Sequence, residues 1–213
     1  MGLDWGSGTG CLTIAAAKAE GVKNVIGLEL TSANVRAAHH NAVLNNVEDR
    51  VTFLLSDSYL PLSEADQETL IAYHGQIDFI LANPPSSDGD DGFAFRREVL
   101  RGGRPFLKPG SLVLLNISYQ YGQQRIADLC QQIAGFTHEG VLASTDWVPF
   151  DLQRADLQQC LRDYAAEEQR GGFPYEFAHP EAPEASLNAQ TALAHFQQTN
   201  QSPLTKWQTH LFR

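Results

Sequence analysis

Cysteine is scarce: Cys11, Cys130 and Cys160 are the only three in 213 residues. They form no C-x-x-C pair and lie too far apart to read as a disulfide framework, which fits a reducing compartment; the expected location is the cytoplasm. Positive charge is short as well, with 15 Lys and Arg against 25 Asp and Glu and a formal net charge of −10. Such a chain gains little from counterion release at a phosphate backbone, so tight unaided binding to nucleic acid is disfavoured. No apolar run approaches the roughly 20 residues of a membrane span, and the N-terminus lacks a basic region followed by an apolar stretch. No membrane partner is expected. Low-complexity blocks and fixed-period repeats are missing too. What is present is ordinary for one core without disulfides or metals: 43% hydrophobic residues in a chain long enough to bury them.

The first 142 residues alternate short β-branched runs with helical patterns, the signature of βαβ units and a parallel sheet. The expected strands are 1–3, 24–28, 51–55, 77–82, 111–117 and 137–142. Helices are expected at 11–19, 33–44, 64–73, 93–101 and 123–133, where apolar residues recur at three- and four-residue spacing. Because the strands are nearly all apolar, both faces of the sheet are covered, which makes a doubly wound α/β fold. After Asp146 come a polar helix-forming stretch, 152–168, a Pro-rich loop and a second helix over 187–197. The run Lys206 to Phe212 has the aromatic and Thr content of a strand. It is expected to return to the sheet as an antiparallel final strand. The expected units are a core over 1–149, a helical insertion or extension over 150–203 and the returning strand over 204–213. Only Met1, Gly2 and Leu3 precede Asp4, so the first strand reads as clipped.

Between the first strand and first helix lies Asp4-Trp5-Gly6-Ser7-Gly8-Thr9-Gly10-Cys11. Gly6, Gly8 and Gly10 allow a tight turn and close approach of a ligand, and the helix behind them offers unpaired N–H groups. The spacing is G-x-G-x-G; a dinucleotide fingerprint needs G-x-G-x-x-G, which would put its third glycine where Cys11 stands. A nucleotide-dependent oxidoreductase is therefore improbable. Asp4 would repel a pyrophosphate but attract an ammonium or sulfonium, which suits a zwitterionic cofactor such as S-adenosylmethionine. Glu29 ends the second strand, 19 residues after Gly10, where a carboxylate accepts both ribose hydroxyls. Asp57 and Ser58 end the third, where they present an acceptor to the adenine amine.

The fourth strand ends in Asn83-Pro84-Pro85-Ser86. Taken alone, such a tripeptide is most often a rigid turn. Joined to the glycine loop, Glu29 and Asp57, it resembles the class I S-adenosylmethionine-dependent methyltransferases. The likeness is to their N-methyltransferase branch, which holds release-factor glutamine, guanine-N2 rRNA and adenine-N6 enzymes. The resemblance spans residues 1 to 146. A planar amide or exocyclic amine is a poor nucleophile, so its N–H groups must be held while its lone pair is aimed at the methyl. Asn83 Oδ1 and the Pro84 carbonyl supply two acceptors, and Pro84 and Pro85 hold the backbone rigid. Catalysis is then mainly alignment, a contribution of roughly 7 to 11 kcal/mol, with no metal expected. Asp4, Gly6, Gly8, Gly10, Glu29, Asp57, Ser58 and Asn83 are the expected cofactor residues.

The family carries an aromatic residue after the second proline, and Ser86 stands there; Phe93 or Phe95 is the expected substitute. A protein side-chain amide is the favoured acceptor, and an RNA base the runner-up, kept open by Arg96, Arg97, Arg101 and Arg104, the only basic cluster. A non-catalytic cofactor-binding module is the rival from another class. Asp88 to Gly92 lacks the register of a calcium loop and reads as a solvated acidic loop. His39 and His40 diverge by about 100° on a helix, which is wrong for joint metal ligation. Phe173 to Phe177 reads as a staple between the extension and the sheet, or as a border of the acceptor pocket through Tyr175.

Overall fold

The computed structural model describes residues 1–87 and 91–213. The sheet is built from β1 (Gly2–Trp5), β2 (Val25–Glu29), β3 (Val51–Asp57), β4 (Leu60–Pro61), β5 (Ile77–Ala82), β6 (Leu107–Asn116), β7 (His138–Ser144) and β12 (Gln208–Phe212). Their order is β4-β3-β2-β1-β5-β6-β12-β7. From β3 to β6 every pair is parallel, and β12 runs antiparallel to both β6 and β7. The expected mostly parallel sheet with an antiparallel returning strand is what the chain builds. β1 extends to Trp5 rather than stopping at Leu3, buried throughout between β2 and β5. β6 begins at Leu107, ahead of the expected Ser111. The Lys108-Pro109-Gly110 break is absorbed as an irregularity in the pairing of β5 with β6, the usual way a strand accommodates Pro and Gly.

The helices α1 (Cys11–Lys18), α2 (Ser32–Leu44), α3 (Glu64–Ile71), α4 (Ala94–Gly103) and α5 (Gly122–Gln132) connect these strands. Beyond the core stand β8 (Val148–Pro149), α6 (Ala155–Gln169), β9 (Phe177–Ala178), β10 (Ser186–Leu187), α7 (Ala189–Thr199) and β11 (Leu204–Thr205). The extension is thus not purely helical, because its short strands join a second sheet of order β10-β9-β11-β8. Two-residue strands carry no visible period, and only tertiary pairing defines them. Tyr164, Tyr175, Phe150 and Phe177 join the same apolar cluster as the sheet residues Leu3, Ile80 and Val113, so the extension packs onto the core. Among the described residues no helix is long and apolar enough to cross a membrane.

Candidate active site

Sheet register sets the site. Trp5 is aligned with Leu28 of β2 and with Ala82 of β5, so the chain leaves three adjacent strands at one level. Gly6, Glu29 and Asn83 therefore stand side by side at the C-terminal edge, where ligands of open α/β sheets bind.

The glycine loop has an open face. Gly8 adopts φ +55°, and an added Cβ there would meet nothing within 4 Å. Gly10, at φ +87°, is a packing glycine instead, since its Cβ would come within 2.9 Å of the Phe53 ring. The Gly8 amide donates to Glu29 Oε2 at 3.0 Å. Glu29 Oε1 accepts from the Thr31 amide and hydroxyl, both at 2.9 Å, and from Asn34 at 3.1 Å. Burial works to raise the Glu29 carboxyl, but these hydrogen bonds outweigh it and hold the group below its ordinary range. It stays ionised and rigid, with Oε2 the less crowded oxygen.

Asp4 lies under the loop, 1% exposed. Its Oδ2 accepts from the Thr13 hydroxyl at 2.6 Å, while Oδ1 has no partner, and neither has the buried Ser7 hydroxyl. Burial pushes the Asp4 carboxyl up to about 6, against a smaller lowering by Thr13. A buried carboxylate oxygen without a donor, below a loop with open space above it, fits a cofactor that brings a cation and hydrogen-bond donors.

Beside the loop a cavity of about 120 Å³ is lined by Trp5, Leu30, Glu29, Asp57, Ser58 and Phe95 among others. Asp57 is exposed there. Ser58, at φ +53°, accepts from the Trp5 indole at 2.8 Å, which ties the glycine loop to the end of β3. Leu30 and Phe95 give this cavity apolar walls that the sequence reading did not assign. An exposed leucine directly after Glu29 was the available signal.

On the other side of β5, a cleft of about 360 Å³ holds Asn83, Pro84, Pro85, Arg96, Tyr164 and Trp207 in its lining. The Asn83 side chain is exposed and makes no hydrogen bond within the described residues. Arg96 is the residue that sequence reasoning missed. It is buried, and its guanidinium donates to the carbonyls of Pro84 (3.4 Å), Pro85 (3.2 Å), Gly92 (3.0 Å) and Asn116 (3.2 Å). It also lies over the Tyr121 ring at 4.7 Å. This cation fixes the proline carbonyls from behind. Its position on the buried stripe of α4, with Val99, Leu100 and Gly103, was readable as an arginine at core spacing.

The structure bears on three expectations. Phe93 is buried and Phe95 faces the cofactor cavity, so neither replaces the aromatic missing at Ser86. The four arginines do not form one basic surface: Arg96 is interior and Arg97 pairs with Asp91, while Arg101 and Arg104 are exposed, the latter donating to the Ala134 carbonyl. Tyr175 lines a neighbouring cavity of about 450 Å³ that shares Ser86, Cys160 and Tyr164 with the Asn83 cleft. It borders the acceptor region without entering it, and serves as the staple. The expected acidic loop falls in part on 88–90, outside the described residues; among the described residues no metal-holding cluster occurs.

Comparison with known proteins agrees with this geometry. The family model of the PrmA ribosomal protein L11 methyltransferases matches residues 2–84. A release factor glutamine methyltransferase of Cereibacter sphaeroides is 28% identical over 166 residues, covering 68% of this chain and 55% of its own. A ribosomal protein L11 methyltransferase of Bacillus cereus is 30% identical over 153 residues, covering 72% and 43%. The chain spans about half the length of the curated relatives it matches. A crystal structure of ribosomal protein L11 methylase from Lactobacillus delbrueckii shares the fold, with a TM-score of 0.51 at 20% identity over 67% of this chain and 63% of that one.

Proposed function

We propose that this chain, related to the S-adenosylmethionine-dependent N-methyltransferases, moves a methyl group from that cofactor to a neutral side-chain carboxamide of a protein. One observation carries the reading. Asn83-Pro84-Pro85 stands abreast of the glycine loop and opens on a cleft whose lining, among the described residues, contains no Asp or Glu.

Glu29 Oε2 and Asp57 would hold the ribose and adenine, the open face of Gly6 and Gly8 would admit the amino-acid part, and Asp4 would meet its cationic end. The cofactor supplies a methyl already activated on a sulfonium. Asn83 Oδ1 accepts one N–H of the acceptor and the Pro84 carbonyl another, on the lone pair that Arg96 does not use. So held, the nitrogen lone pair would face the cofactor's methyl; the N–C bond would form as the S–C bond breaks with its electron pair left on sulfur, and the nitrogen would pass one proton to solvent water. Alignment rather than acid–base exchange lowers the barrier.

The Arg96 charge disfavours an ammonium in the cleft, since no carboxylate among the described lining residues would offset it. A carboxamide brings no charge. With Arg96 interior and Arg97 paired with Asp91, the basic cluster that kept an RNA base open is reduced to Arg101 and Arg104. The release-factor and L11 relatives, both named for protein substrates, support a protein acceptor.

The test is cofactor binding and transfer, measured separately. S-adenosylmethionine or S-adenosylhomocysteine at ~100 Kd is expected to stabilise the chain by about 2.7 kcal/mol, and NADH not at all. Asn83→Ala is expected to keep that shift and lose transfer of labelled methyl to glutamine-containing peptides. Equal transfer by the variant would refute the assignment of Asn83, and a chain that melts cooperatively without a shift would refute the cofactor site.

A further inference from the structure

Aromatic side chains are unequally available in the Asn83 cleft. Tyr121, Phe150 and Tyr164 contribute to its wall, but they are 3%, 2% and 7% exposed and packed in the core. Their faces are taken: Tyr164 stacks on Tyr175 at 4.0 Å, Tyr121 meets Phe93 edge-on at 5.1 Å, and Phe150 meets Phe177 at 5.3 Å. Trp207 differs. It is 47% exposed, and its indole contacts no ring among the described residues. Trp147, by contrast, is covered by Lys206 at 4.3 Å and by Tyr119 at 4.9 Å.

The exposure of Trp207 is not slackness. Its amide donates to the Thr145 hydroxyl at 3.1 Å, and its carbonyl accepts from the Thr145 amide at 3.0 Å. On either side the Lys206 and Gln208 carbonyls accept from Tyr119 and Ile117 at 2.9 and 3.0 Å. A backbone fastened on both flanks holds a large apolar ring half in water, in the wall of a cleft that also carries the Asn83 amide, unpaired among the described residues, and the Pro84 carbonyl, one lone pair of which Arg96 uses. Singly exposed apolar side chains are common; what sets Trp207 apart is that its open ring lines the cleft that holds Asn83 and Pro84.

We infer that Trp207 supplies the aromatic face on which the planar acceptor amide lies, the part that Ser86 cannot play. The inference rests on the methyltransferase reading and deepens it. The residue before a two-proline turn and a residue more than a hundred positions later then form one site: Asn83 and Pro84 hold the amide edge, and the Trp207 indole covers its plane. The indole face takes a planar amide, of a peptide backbone or of a side chain, and because it also attracts cations it leaves the exclusion of an ammonium to the Arg96 charge.

The experiment uses the whole chain labelled with 5-fluorotryptophan, which gives a fluorine resonance for each of its three tryptophans, Trp207 being assigned from Trp207→Phe. S-adenosylhomocysteine is expected to move the Trp5 resonance. Adding the probe acetyl-Gly-Gln-Gly-amide is expected to move that of Trp207, whereas adenosine monophosphate leaves it in place. In methyl transfer to the same probe, Trp207→Leu is expected to raise KM about tenfold while S-adenosylmethionine affinity holds, and Trp207→Phe to stay near wild type. If S-adenosylhomocysteine moves Trp5 but the glutamine probe leaves Trp207 unmoved, this inference is overturned and the cofactor reading stands. If the nucleotide moves Trp207 and the peptide does not, the amide is the wrong occupant. If S-adenosylhomocysteine moves nothing, the methyltransferase reading fails first and takes this inference with it.

Discussion

Asp4 is the residue whose ionisation the fold makes expensive. Held at about 6 in the folded chain against 3.8 in the open one, it binds its proton more tightly when folded. The stability it contributes is therefore complete below pH 3.8 and is lost as the pH rises through 6, a difference of about 3 kcal/mol. Asp4→Asn is accordingly expected to raise the midpoint of urea unfolding at pH 7.5 in the absence of ligand. A cofactor bringing a cation to Oδ1 reverses the sign, because it binds the ionised form. Its affinity is expected to rise between pH 5 and 7 in the wild type and to be weak and flat in Asp4→Asn. Calorimetric titration at a series of pH values checks this, and a pH-independent affinity in the wild type would exclude Asp4 from the site. Asp4, Glu29 and Asn83 were legible in the sequence because each lies within a residue of a strand's C-terminal end, where an open sheet concentrates its chemistry. Arg96 was readable only as an arginine at core spacing, and Trp207 not at all, since nothing local says that a helix residue will reach proline carbonyls twelve positions back, or that a tail residue will stand beside them.

Among the elements, α6 depends on one buried arginine. Arg125 of α5 donates to Glu167 at 2.9 Å and to the Phe173 and Pro174 carbonyls at 2.6 and 2.8 Å, with the Tyr175 ring 3.7 Å from its guanidinium carbon. The Tyr175 hydroxyl donates to the other Glu167 oxygen. Next to it, Glu168 accepts from the amides of Tyr175, Ala189 and Gln190 at 2.7, 2.9 and 3.1 Å, so a carboxylate of α6 caps the start of α7, where the helix dipole favours it. Arg125→Met leaves Glu167 without its cation and is expected to cost about 3 kcal/mol in urea unfolding. The double variant with Glu167→Met is expected to recover part of that loss; additive losses would show that the two groups do not act as a pair. The helix-forming composition of 152–168 and the stretch after the Pro-rich loop located α6 and α7 to within a few residues. The sequence was silent on β8 to β11, which exist only through their partners.

At the scale of the molecule, β12 is the wedge that completes the sheet. β7 pairs with β12 and not with β6, so both edges of β12 are used. His210, in its middle, is fully buried with Nε2 unpartnered and lies 3.0 Å from His138 of β7. Burial, then the charges of His138 and Arg96, lower its pKa to about 4. The neutral ring stabilises the fold above pH 6.5, and that contribution is lost as the pH falls toward 4. Asp4 acts in the opposite direction over this range, so the effect is read most cleanly in the Asp4→Asn background. There, the urea midpoint is expected to drop between pH 6.5 and 4, and His210→Gln is expected to flatten the drop.

The same wedge imposes an order on synthesis. A chain emerging from the ribosome can pair β1 with β2 and β2 with β3 as soon as each appears, and β5 then joins the free edge of β1. β7 has no such neighbour: its partner is made some seventy residues later, and until then it offers a bare edge to any strand nearby. Trp207 arrives with that partner. Nascent chains shorter than residue 212 are therefore expected to carry the cofactor loop already shaped, while one wall of the acceptor cleft has yet to be translated.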